Sequence, residues 1–120
     1  MENNFNQIIA DRTKLLTVKI INNFSNLPYS DKVSVIRKQL FRCSSSVAAN
    51  YRAMCRARSL KEKYAKICIV VEEADETVFW LEVTEEINMI SREILKELKN
   101  EAMEILKITA AYKKKLGEGL

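Results

Sequence analysis

Apolar residues recur along this chain at steps of three and four for almost its whole length, the spacing that puts them on one face of a helix. Over residues 4–24, Phe5, Ile9, Thr13, Leu16, Ile20 and Phe24 form such a stripe, flanked by Ile8, Leu15 and Ile21. Ser25, Asn26, Leu27, Pro28 and Tyr29 break it, and Ser30 or Asp31 suits the cap of a second helix over residues 31–57. Its stripe is Val33, Ile36, Leu40, Cys43, Val47, Asn50 and Met54, in alternating steps of three and four. Ser59, Leu60, Lys61 and Glu62 have the S-x-x-E form of a capping box, opening a third helix over residues 60–87. There Leu60, Tyr64, Ile67, Val71, Ala74, Val78 and Leu81 share a face. The pattern lapses near residues 88–91, where Ser91 is a further cap. Ile94, Leu98, Ala102, Ile105, Thr109, Tyr112 and Leu116 then predict a fourth helix over residues 92–115.

Four helices of this length with short links predict an all-α, antiparallel up-down-up-down four-helix bundle, one domain over residues 1–120. Composition agrees. Pro28 is the only proline, and both glycines, Gly117 and Gly119, come at the end. A sheet protein would need turn residues at intervals of about ten. No apolar run approaches the roughly 20 residues needed to span a bilayer. The first residues, MENNFNQ, lack the basic-then-apolar layout of a secretion signal, so a cytoplasmic protein away from membranes is expected. Cys43, Cys55 and Cys68 are odd in number, form no C-x-x-C pair, and have no histidine beside them in the whole chain. That argues against a disulfide framework and against a zinc site.

Charge is sorted along the sequence. Residues 37–66 carry nine positive charges and one negative, residues 67–104 carry three and eleven, and residues 105–120 carry four and one. In the predicted bundle the second helix ends, the third begins and the fourth ends at one pole. Arg52, Arg56, Arg58, Lys61, Lys63, Lys113, Lys114 and Lys115 would gather there, with Glu82, Glu85, Glu86 and Glu93 at the other pole. Such basic density predicts contact with the phosphate backbone of RNA or DNA. The alternative is that these cations only stabilise helix C-termini and solvate the bundle end.

The faces turned away from the core stripes are not uniformly polar. The second helix presents Lys38, Arg42, Ser45, Ala49, Arg52 and Arg56, and the third Ile69, Glu73, Glu76, Trp80 and Val83 with Phe79 beside them. A monomer would expose these apolar groups, so burial against another copy of the chain is expected. Arg42 and Arg52 of one subunit would face Glu73 and Glu76 of the next across Ser45 and Ala49, a head-to-tail contact that closes into a ring.

Little catalytic chemistry is available. Without histidine, a Glu-x-x-His di-iron set and Ser-His or Cys-His nucleophile pairs are excluded. Without glycine before residue 117 there is no glycine-rich phosphate loop. The expectation is a protein that is not an enzyme, with no catalytic residue, metal or cofactor. One enzymatic alternative is a magnesium-dependent all-α nucleotide pyrophosphatase, from Glu72, Glu73 and Glu76 with Glu101 and Glu104. Asn50 sits on a core stripe, where an amide needs a partner, and Asp75 is the candidate for a buried polar pair that pins the register. Cys43 and Cys68 read as packing residues.

The stretch from Leu40 to Ala53, LFRCSSSVAANYRA, resembles the bacterial four-helix-bundle proteins encoded in intervening sequences of large-subunit ribosomal RNA genes. Residues 55–59 (CRARS) and 71–82 (VEEADETVFWLE) continue the likeness, which runs from about residue 5 to 115. The resemblance implies an up-down bundle, a homo-oligomer with five subunits favoured, and no catalysis. More distantly the chain is similar to the accessory proteins of diversity-generating retroelements, which implies nucleic acid and a reverse transcriptase as partners. Many members carry an acidic residue after the Asn-containing motif where this chain has Arg52, a departure toward basic character. Beside this stands the alternative of a purely structural or protein-interaction module.

Overall fold

The computed structural model describes residues 2–120, with side chains from residue 4 onward. Helices α1 (Glu2–Phe24), α2 (Asp31–Cys55), α3 (Leu60–Glu86) and α4 (Arg92–Glu118) follow one another, with no strand among the described residues. Each packs on its sequence neighbour, α4 returns to α1, and the diagonal helices stand farther apart across the core. The outcome is the expected up-and-down bundle, 46 × 23 × 19 Å.

The serines read as caps are caps. The hydroxyls of Ser30, Ser59 and Ser91 accept the amides of Val33, Glu62 and Ile94 at 3.2, 3.1 and 3.3 Å. Glu62 reaches back one residue further than in a standard capping box and takes the amide of Arg58 at 3.0 Å. At the end of α3, Asn88 adopts φ 53°, a left-handed conformation that asparagine tolerates. The amides of Asn88 and Met89 donate to Glu85 and Thr84 carbonyls at 3.2 and 3.4 Å, a Schellman stop. The C-terminus of α1 is closed differently: Nη1 of Arg37, on α2, donates to the carbonyls of Phe24, Ser25 and Leu27 at 3.1, 3.3 and 3.1 Å. No motif in the sequence announced this clamp.

Ile9, Leu16, Ile20, Phe24, Leu40, Met54, Ile67, Leu81, Leu98 and Ile105 fill the core as their stripes predict. Phe5, Leu60 and Ile94 are instead exposed, Val70 and Leu95 are buried where Val71 and Ile94 were expected, and α2 shows a third such exchange. There Tyr51 is fully buried, while Asn50 is half-buried and donates to the carbonyl and hydroxyl of Ser46 on its own helix at 2.9 and 3.1 Å. Asp75 is exposed, so the expected buried Asn50–Asp75 pair does not form. Alternating steps of three and four average 3.5 residues per turn, and a straight helix drifts from that by about 20° per heptad. By the fifth turn of the stripe the core position has passed from Asn50 to Tyr51. The buried hydroxyls of Thr13, Ser44, Thr77, Thr84 and Thr109 each donate to a carbonyl of the preceding turn at 2.6–2.9 Å, so none is stranded.

Candidate nucleic-acid interface

The pole drawn from the sequence assembles. A Cβ on Gly117 would meet Tyr64 at 3.1 Å and one on Gly119 would meet Leu60 at 3.1 Å, so the last turns of α4 lie against the first turns of α3. Around this junction and the end of α2, Arg52, Arg56, Arg58, Lys61, Lys114 and Lys115 are exposed, and Lys63 and Lys113 are half-buried. Among the described residues none of the eight forms an ion pair. Glu82, Glu85, Glu86 and Glu93 are exposed at the far end. In a body 46 Å long the two poles lie several Debye lengths apart (about 8 Å at physiological salt) and do not cancel.

Away from the pole, cations that fall beside carboxylates are paired. Arg12 reaches from α1 to α4, where it meets Glu101 at 2.7 and 2.9 Å and Glu104 at 2.9 Å. The hydrogen bond to Glu101, foremost, holds the Arg12 guanidinium even more firmly charged than usual. Lys19 pairs with Glu97 at 2.8 Å along the same seam, and Lys99 with Glu85 at 3.0 Å.

Arg42 bonds Glu73 at 2.8 Å and also pairs with Glu76, both on α3 of its own chain. Within the chain Arg42 thus already reaches the carboxylates that the sequence reading placed across a subunit boundary. In an antiparallel neighbour pair the flank of α2 faces the flank of α3, so a position that looks outward on a single helix is lateral in the bundle. Trp80 and Val83 likewise turn partly inward and pack against the core, whereas Ile69 and Phe79 remain 38% and 52% exposed. Ser45, Ala49 and Arg52 are exposed on α2. The two acidic pairs of the pyrophosphatase reading are not brought together. Glu73 and Glu76 face α2, and Glu101 and Glu104 face α1, each pair engaged by its own arginine.

Burial pushes the Cys43 thiol up, offset in part by Thr77 Oγ1, 3.2 Å from its sulfur. Burial also raises Cys55, against the lowering fields of Lys63 and Arg56. Among the described residues no group of three or more metal-ligating side chains converges, and no helix is long and apolar enough to cross a membrane.

These features define a small, charge-polarised, up-and-down four-helix bundle. Residues 6–111 match the family model of the 23S rRNA-intervening sequence protein, and the chain belongs to that family. Its structure is similar to the crystal structure of a protein of unknown function from the S23 ribosomal protein family of Bacteroides thetaiotaomicron. The two share 30% identity over 91% of this chain and 97% of the other, with a TM-score of 0.81. None of the curated proteins matches the chain.

Proposed function

We propose that the protein is a non-enzymatic, homo-oligomeric scaffold that binds RNA or DNA through its basic pole, in the cytoplasm. The observation that carries this reading is the set of eight cations that share one end of the bundle without an ion pair among the described residues. Uncompensated cations at this density attract phosphate and release counterions when it binds. The family's name, with its reference to ribosomal RNA genes, points the same way. Exposed Ile69 and Phe79 support self-association, and the family resemblance favours five subunits. A ring would repeat a weak phosphate contact once per subunit. A reverse transcriptase is a protein partner only by the more distant analogy.

A protein-interaction module is the second reading, favoured by the outer face of α1, where Ile8, Leu15, Val18 and Ile21 are exposed. Anisotropy titrations of structured RNA and duplex DNA across a salt series separate the two. The nucleic-acid reading expects sequence-tolerant binding that weakens steeply with salt, and a uniform loss on replacing Arg56, Arg58 and Lys61 with alanine. Absence of binding at low salt would leave the interaction module. Turnover of nucleoside triphosphates with magnesium, abolished by Glu73→Gln, would overturn both.

A further inference from the structure

The flank between α1 and α2 carries an open groove of about 700 Å³ that runs from the basic pole toward mid-bundle. Ser45, Ala48 and Ala49 of α2 make its floor, where no side chain reaches more than one atom past Cβ. Lys14, Arg52 and Arg56 line it, against one carboxylate, Asp11, which is held by Nε2 of Gln7 at 2.8 Å. At its inner edge lies Asn6, only 9% exposed. Oδ1 of Asn6 accepts the Tyr51 hydroxyl at 3.1 Å, which fixes the amide plane. Its Nδ2 has no hydrogen bond among the described residues. Nδ2 is open to solvent at the edge of the cationic groove, so an anionic or polar ligand atom can take the place of water there.

We propose that this groove seats the sugar-phosphate backbone of a single nucleic-acid strand. Lys14, Arg52 and Arg56 neutralise phosphates, and Nδ2 of Asn6 donates to a phosphate oxygen. The proposal rests on the nucleic-acid reading above and extends its surface from the bundle end along the α1–α2 flank. The lining holds no aromatic ring on which a base could stack, so the backbone is what it recognises. Helix axes in contact lie about 8–10 Å apart, and the cleft between two of them is too narrow for a duplex. A partner helix fits less well, because helix-in-groove docking needs deep apolar pockets at several turns, and the apolar lining here is Ala10, Val18, Ala48, Ala49 and Cys55.

The test obstructs the groove without altering charge. Ala49 is exposed on the floor, and Ala49→Trp fills it. With a fluorescent single-stranded oligouridylate as probe, Ala49→Trp should weaken binding by at least about tenfold, while Arg58→Ala with Lys115→Ala changes it by less than threefold. Three neutralised phosphates give a log–log salt slope near −2, or about a 20-fold loss between 50 and 200 mM salt. Arg52→Ala with Arg56→Ala should flatten that slope by about 1.4. Asn6→Asp keeps an acceptor for Tyr51, removes the donor, and should also weaken binding. In the unaltered protein, bound strand should slow alkylation of Cys55, which lines the groove, and leave Cys68 on α3 unchanged. This last readout needs no variant to fold. Wild-type affinity in Ala49→Trp with no protection of Cys55 overturns the groove while leaving nucleic-acid binding at the pole intact. No binding by the unaltered protein overturns the underlying reading instead. An Ala49→Trp protein that loses its oligomeric state in light scattering but keeps its affinity would assign the groove to a second copy of the chain, and the proposal fails.

Discussion

The hydroxyl of Tyr51 donates to Oδ1 of Asn6 across 3.1 Å and so ties α2 to α1 beneath the groove. Tyr51 is fully buried and Asn6 is 9% exposed, so water competes little for the bond. Tyr51→Phe keeps the ring and strands the amide oxygen of Asn6. The expected loss is about 1–3 kcal/mol in urea unfolding, with an unchanged m-value. Strand affinity should fall with it, because the Asn6 amide is no longer held. A Tyr51→Phe protein as stable as its parent would show that the bond contributes nothing.

Arg37 closes the C-terminus of α1 by donating to three carbonyls that have no partner within the helix. Arg37→Ala should destabilise the fold by about 1.5–3 kcal/mol, the range for hydrogen bonds to a charged donor. Arg37→Lys should recover only part of that, since an ammonium lacks the planar fork of the guanidinium. Thermal unfolding of the three proteins checks the order.

The thiols set a limit at high pH. Burial raises Cys43 and Cys55 above the ordinary value of 9.0, so the folded chain holds protons that the unfolded chain gives up first. Their contribution is complete below that value and is lost as pH rises through it and beyond. Stability should therefore decline on the alkaline side of pH 9, and less steeply in Cys43→Ala. Alkylation of the native protein should reach Cys43 last of the three cysteines. A Cys43→Ala protein with the parent's alkaline slope would contradict the assignment.

Phe79 is 52% exposed and meets Trp80 edge-on, with ring centroids 5.1 Å apart. Phe79→Glu should shift the light-scattering mass toward the monomer and leave the helical circular dichroism intact. Trp80→Glu is a poorer probe, because Trp80 also packs on the core and its loss would unfold as well as dissociate. An unchanged mass for Phe79→Glu would remove this face from any subunit contact.

Most of the fold was legible in the sequence because period and punctuation agree. Every stripe sits where its helix forms, and the three serine caps stand where they were read. Helix α4 runs on to Glu118 rather than stopping near residue 115, since nothing before the glycines breaks it. What was not legible depends on neighbours. A helical wheel marks Arg42 as outward, and only the pairing of α2 with α3 gives it Glu73. The exchange of Asn50 for Tyr51 is a fraction of a turn accumulated over the 17 residues from Val33. The basic pole followed from topology and charge alone. The groove did not, because it exists only where small residues of α2 lie beside the polar edge of α1.

An even number of antiparallel helices returns the chain to the end from which it set out. The rings of Phe5 and Tyr112 are 5.9 Å apart, so the first turn of α1 and the last turns of α4 lie side by side at the basic pole. A domain or affinity tag fused at either end would therefore sit over the surface assigned to nucleic acid. The adjacency also permits a circular permutant: a short linker joins the old ends, and new ends open in the link at residues 87–91. That permutant would keep every helix while freeing the pole of chain termini.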